Sequence, residues 1–91
     1  MYSRRTKIVN ETGMHARPAS EFSEAASKFT SKIKIVNLSD PESEQVNAKS
    51  VVFILTLGAG KGSEIEITAS GEDEQEAVDS LIAFIDSGLG E

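Results

Sequence analysis

Residues 64–69 read EIEITA, and this stretch decides the fold. Ile65, Ile67 and Ala69 alternate with Glu64, Glu66 and Thr68, the period-two pattern of a strand with one buried and one wetted face. A strand with a charged face belongs to an antiparallel sheet open to water on one side, because parallel sheets are covered on both. Upstream, Lys32–Leu38 begins KIKIV, a second alternating strand with Ile33 and Ile35 on one face. A short β-branched stretch around Lys7–Val9, ending in Asn-Glu-Thr-Gly, reads as strand then loop, and Gln45–Ala48 as a short edge strand.

Two segments carry the helical period instead. Ala16–Phe29 places Ala19, Phe22, Ala25, Ala26 and Phe29 on one stripe, and Pro18 suits a first turn, where its missing N–H has no intrahelical partner. Residues 72–88, EDEQEAVDSLIAFIDSG, begin acidic and align Val78, Leu81, Ile82 and Ile85, with Gly88 positioned to end the helix. Ser50 precedes VVFILTL (51–57), a run too short for its pattern to separate helix from strand. The polar SDPESEQ (39–45) is an exposed loop. The order is strand, helix, strand, strand, short helix, strand, helix. Helices on the dry face of such a sheet make a two-layer α/β sandwich, one domain spanning residues 1–91.

Composition bounds what this domain does. The chain has 91 residues, 38% apolar, with nine basic and fifteen acidic side chains and a net charge of −6. That balance argues against a general nucleic-acid binder, which needs a basic face. There is no cysteine and one histidine, so thiolate and multi-histidine metal sites are excluded within one chain, and no cofactor or metal is expected. The longest apolar run, Val51–Leu57, is far below membrane-spanning length, and the basic N-terminus lacks an apolar signal core. A cytoplasmic protein without stable membrane insertion is expected. Glycosylation-like triplets begin at Asn10 and Asn37, but without a signal peptide they carry no weight.

The single histidine stands in GMHARP, residues 13–18. If a helix opens at Ala16 or Arg17, His15 sits at its N-cap, and the backbone N–H groups of Ala16 and Arg17 lack intrahelical acceptors. Free donors and the helix dipole favour an anion there, and Arg17 adds a guanidinium matched to phosphate oxygens. An imidazole facing such a cradle can accept a phosphoryl group on nitrogen, giving a reactive phosphoramidate suited to onward transfer. The plain alternative is a loop histidine with a structural hydrogen bond, in a ligand-binding or oligomerising sandwich.

Other features admit similar pairs of readings. Ser50 is an N-cap hydroxyl or a regulatory phosphorylation site. Seven residues in a row cannot all face inward on a helix, so part of Val51–Leu57 should be exposed, and an exposed apolar patch flanked by Lys49 would suit partner docking. GAGKG (58–62) fails as a phosphate loop, because Leu55 stands where the first glycine belongs and no Ser or Thr follows Lys61. Asp40, Glu42 and Glu44 lack the spacing and glycine of a calcium loop.

GMHARPA (13–19), NAKSVVFILTLG (47–58), KGSEIEITASGEDEQEAV (61–78) and the closing GLGE (88–91) together resemble the histidine-containing phosphocarrier family, HPr, across essentially the whole chain. The resemblance implies an α+β open-faced β-sandwich, a four-stranded antiparallel sheet covered on one face by three helices. It implies a phosphocarrier of the phosphoenolpyruvate:sugar phosphotransferase system rather than a stand-alone enzyme. Enzyme I would phosphorylate His15 on Nδ1, and the group would pass to EIIA domains of sugar permeases. Arg17 and the Ala16 N–H would stabilise the phosphoryl charge. Ser50 matches the serine modified by HPr kinase/phosphorylase, a form that acts with a catabolite control protein, so a mainly regulatory or nitrogen-branch role is the alternative. Lys49, Val52, Phe53, Ile54 and Phe22 are the expected docking residues. One departure stands out: VVFILTLG replaces the Met- and Gly-containing segment usual after that serine, with Phe53 where glycine is common.

Overall fold

A computed structural model describes residues 1–90; Glu91, the last residue of the GLGE motif, lies outside them. Four strands, β1 (Tyr2–Lys7), β2 (Lys32–Asn37), β3 (Val46–Asn47) and β4 (Glu64–Ser70), form one sheet in the order β1-β4-β2-β3, antiparallel throughout. Three helices, α1 (Ala16–Ala26), α2 (Val51–Leu55) and α3 (Glu74–Asp86), cover one face. The one-sided antiparallel sheet read from the alternating strands, and the open-faced sandwich that the resemblance implies, are the architecture found. Ile65, Ile67 and Ala69 are fully buried, and they pair in register with Asn37, Ile35 and Ile33 of β2.

The helices meet that floor with the stripes their sequences display. α1 contributes Ala19, Phe22 and Ala26, and α3 contributes Val78, Leu81, Ile82 and Ile85, all buried in one cluster. Removing the larger of these side chains, Phe22, Val78, Leu81, Ile82 and Ile85, from water contributes roughly 1.5–3 kcal/mol each. Helix α1 ends at Ala26, three residues before the expected Phe29, which is only half-buried beyond it. Helix α3 ends at Asp86 with Ser87 as its C-cap, and Gly88 follows with φ 97°, the left-handed turn expected of it.

The first strand differs from its sequence reading. It runs from Tyr2 to Lys7 rather than around Lys7–Val9. Its helix-facing residues are Tyr2, Arg4 and Thr6, opposite Ala69, Ile67 and Ile65, so it lacks the apolar alternation that marks a strand. Polar contacts to α3 take the place of apolar burial. Tyr2 Oη donates to Asp79 at 2.9 Å, Arg4 Nη1 pairs with the same carboxylate at 3.1 Å, and Thr6 Oγ1 donates to Asp86. The bond to Asp79 raises the Tyr2 hydroxyl above its ordinary range. The one inward-facing charge on this edge strand, Arg4, also discourages pairing with other chains.

Asp73 stands at the N-cap of α3 but does not cap it. Its carboxylate accepts from the backbone N–H groups of Thr30 and Ser31, at 2.9 and 3.0 Å, and from the Ser31 hydroxyl. The helix start thereby fastens the turn between α1 and β2. These bonds, the Ser31 hydroxyl first, hold the Asp73 pKa down at about 2. Asn10 and Asn37 are both buried, Asn37 donating to the Leu57 carbonyl at 3.0 Å, so neither is the surface asparagine that glycosylation needs. Among the described residues no helix is long and apolar enough to cross a membrane.

Candidate functional site

His15 is the N-cap residue of α1, with extended backbone at φ −137° and ψ 152°, and its side chain makes no bond back to the helix. The imidazole is exposed. It lines a shallow cleft with Thr12, Met14, Leu55, Gly58, Ala59 and Gly60. The helix begins at Ala16, so the N–H groups of Ala16 and Arg17 lie in the first turn without intrahelical acceptors. Pro18, third in the helix and buried, removes the next donor. The donors therefore concentrate beside His15. Ala16 adopts φ 47°, a left-handed conformation unusual for a residue with a side chain, at a cost of roughly 1–2 kcal/mol.

The loop carrying His15 is positioned by backbone contacts and by the buried Asn10, whose Nδ2 donates to the Gly13 carbonyl at 3.0 Å. Met14 N–H donates to the Ala59 carbonyl at 2.8 Å, and Gly62 N–H donates to the Ile8 carbonyl at 2.8 Å. Gly13 has φ 68°, and a Cβ there would lie 2.5 Å from Ala59 O and 2.6 Å from Gly60 Cα. Only glycine allows this approach. The GAGKG segment is thus a buttressing turn rather than a phosphate loop. Lys61 Nζ closes it from outside through an ion pair with Glu11 at 2.6 Å.

Arg17 stands one residue beyond Ala16 with its side chain 87% exposed, and its Nε donates to Glu21 Oε1 at 3.0 Å, one helical turn on. The guanidinium is next to the cradle in sequence but engaged with a carboxylate. The Glu21 contact went unread in the sequence, although its i, i+4 spacing from Arg17 is a recognised signal of a helical ion pair.

Ser50 is the N-cap of α2, and its Oγ accepts from Phe53 N–H at 3.4 Å. Val52, Phe53 and Leu55 are 67%, 51% and 43% exposed, an apolar patch on a helix of five residues. Two expected docking residues do not reach this surface. Ile54 and Phe22 are fully buried, because the inward sides of α2 and α1 supply the core over the sheet. Lys49 is half-buried, its Nζ donating to the Phe29 carbonyl at 2.6 Å. In their place stands Leu55, which borders the His15 cleft; its i, i+3 spacing from Val52 was the available signal. Asp40, Glu42 and Glu44 are exposed in the loop before β3.

An exposed imidazole beside free helix-terminal donors is an arrangement for handling an anion at nitrogen. The relatives agree in kind. The family model described as "PTS HPr component phosphorylation site" matches residues 2–87. The HPr-like protein Crh of Halalkalibacterium halodurans is 41% identical over 86 residues, 94% of this chain and 98% of that protein. A multiphosphoryl transfer protein of Haemophilus influenzae is 46% identical over 84 residues, 92% of this chain and only 17% of that protein's length. Among solved structures, HPr-C-His from Thermoanaerobacter tengcongensis superposes with a TM-score of 0.89 at 41% identity, over 100% of this chain and 98% of that one. The chain belongs to the HPr family of phosphocarriers of the phosphotransferase system.

Proposed function

We propose that residues 1–91 form one phosphocarrier domain that accepts a phosphoryl group on His15 from phosphorylated Enzyme I and passes it to EIIA domains of sugar permeases. The observation that carries this reading is the position of His15 at the α1 N-cap, exposed, beside first-turn N–H groups that the helix cannot satisfy. The lone pair on Nδ1 attacks phosphorus as the bond to the donor breaks. The same P–N bond breaks when an acceptor nucleophile attacks. The Ala16 N–H, and the Arg17 guanidinium once it leaves Glu21, stabilise the charge on the phosphoryl oxygens. Partners supply the remaining catalytic groups, so the chain acts as a carrier and not as a stand-alone enzyme. Val52 and Phe53, with Leu55 at the cleft edge, form the apolar ground on which partners dock.

Incubation with phosphoenolpyruvate and Enzyme I, followed by intact mass, tests the reading. One acid-labile phosphoryl group in the native chain and none in His15→Ala is the expected result. An unchanged gain in His15→Ala would sink it.

A second reading is regulatory, acting through Ser50 phosphorylated by an HPr kinase/phosphorylase and bound by a catabolite control protein. Its support is the Ser50 hydroxyl at the N-cap of α2, directly beside the exposed Val52–Phe53 patch, together with the similarity to Crh. A phosphate there adds about two negative charges next to an apolar surface and alters what can dock. ATP-dependent modification of the native chain that is absent in Ser50→Ala would support this role; no modification by the kinase would remove it.

A further inference from the structure

We infer that Glu21 is a positioning residue for Arg17, holding the guanidinium on a protein carboxylate until a phosphoryl group on His15 competes for it. The inference rests on the proposed roles of His15 and Arg17. Among the described residues, Glu21 is the ion-pair partner of Arg17, with Nε 3.0 Å from Oε1. The two ends of the pair are held differently. The Arg17 side chain is 87% exposed, whereas that of Glu21 is 37% exposed. The C-terminal turn lies against the carboxylate: a Cβ at Gly90 would come within 2.6 Å of Glu21 Oε2. That turn is anchored by Leu89, which is buried in the core cluster. Glu21 is therefore the more enclosed partner and the guanidinium the one with more room to move.

The pair is also built to open. An arginine N-terminal to a glutamate is the weaker order for a helical i, i+4 pair, and an exposed pair contributes little stability. A phosphoryl group on His15 brings about two negative charges against the single charge of Glu21, so Arg17 transfers to it. Glu21 makes and breaks no covalent bond. The transfer of Arg17 leaves Glu21 without its cation whenever His15 is phosphorylated, which offsets part of the stabilisation Arg17 provides. The consequence is a phosphohistidine that is formed less completely and donated more readily than one with an uncontested arginine.

The test compares the native chain with Glu21→Gln, Arg17→Ala and the double variant, charged by Enzyme I at a fixed ratio of phosphoenolpyruvate to pyruvate. Glu21→Gln is expected to shift the equilibrium toward phosphohistidine by about two- to fivefold at low salt. The shift should vanish near 1 M salt, where the screening length falls to roughly 3 Å, and should be absent in the Arg17→Ala background. An unchanged equilibrium at low salt, or a shift that persists without Arg17, overturns the inference while leaving His15 as acceptor. Absence of any His15-dependent phosphorylation overturns both. A readout free of Enzyme I is the exchange of the Arg17 Nε proton by NMR in the unphosphorylated protein. It should be faster in Glu21→Gln; equal rates would count against the clamp.

Discussion

His15 is held by residues with little chemistry of their own. Gly13 lets the loop approach Ala59 and Gly60, and Ala16 turns the chain into α1 through a left-handed conformation. Opposite substitutions at these two positions should have opposite effects. Gly13→Ala meets both a positive φ and a backbone clash at 2.5 Å, and is expected to destabilise by about 2–4 kcal/mol. Ala16→Gly relieves the left-handed strain of roughly 1–2 kcal/mol but adds freedom to the unfolded chain, leaving a net gain of about 0.5–1 kcal/mol. Urea midpoints of the two variants check both signs; a destabilised Ala16→Gly would show that the conformation is not strained. The helix start was legible in the sequence, because Pro18 suits a first turn and leaves His15 at the N-cap. Its supports were not. The approach of Gly13 and Met14 to Ala59 depends on a turn more than forty residues downstream, which no local pattern encodes.

At the scale of elements, α2 shows how a uniformly apolar run divides. VVFIL offers no polar face to announce its orientation, yet Ile54 is buried while Val52, Phe53 and Leu55 are exposed. Ile54→Ala is expected to cost about 2–5 kcal/mol, with Phe22→Ala in the same class at about 3–5 kcal/mol. Phe53→Ala should change the urea midpoint by no more than about 0.5 kcal/mol in stability and slow phosphoryl transfer to an EIIA domain. Loss of stability in Phe53→Ala without loss of transfer would reassign the patch to the core. Strands β2 and β4 and helices α1 and α3 were readable because burial and period coincide in them. β1 was misplaced because the opposite holds: Tyr2, Arg4 and Thr6 face the helices and bond to Asp79 and Asp86. A strand fixed by polar contacts to a distant helix has no apolar alternation to find.

Across the whole molecule, carboxylates at and on α3 tie together segments that are remote in sequence. Asp73 holds the α1–β2 turn, Glu74 pairs with the N-terminal ammonium at 2.9 Å, and Asp79 holds Tyr2 and Arg4. The pKa of Glu74 is lowered, first by its hydrogen bond to the N-terminus and then by the Gly71 N–H, and that of Asp73 falls from 3.8 to about 2. A carboxyl group with a depressed folded-state pKa binds fewer protons folded than unfolded across that interval, so stability falls as pH falls. The contribution of Asp73 is complete above its unfolded value near 3.8 and is lost as pH drops through about 2. Urea midpoints should therefore hold steady from neutral pH to about 5 and decline steeply between about 4 and 2. Asp73→Asn keeps an acceptor for one N–H but gives up the charge and the proton linkage. It should lower the midpoint at pH 7 and flatten the acid decline. An acid limb as steep as that of the native chain would place the linkage on Glu74 and the other carboxylates, and would reduce Asp73 to a neutral hydrogen-bond acceptor.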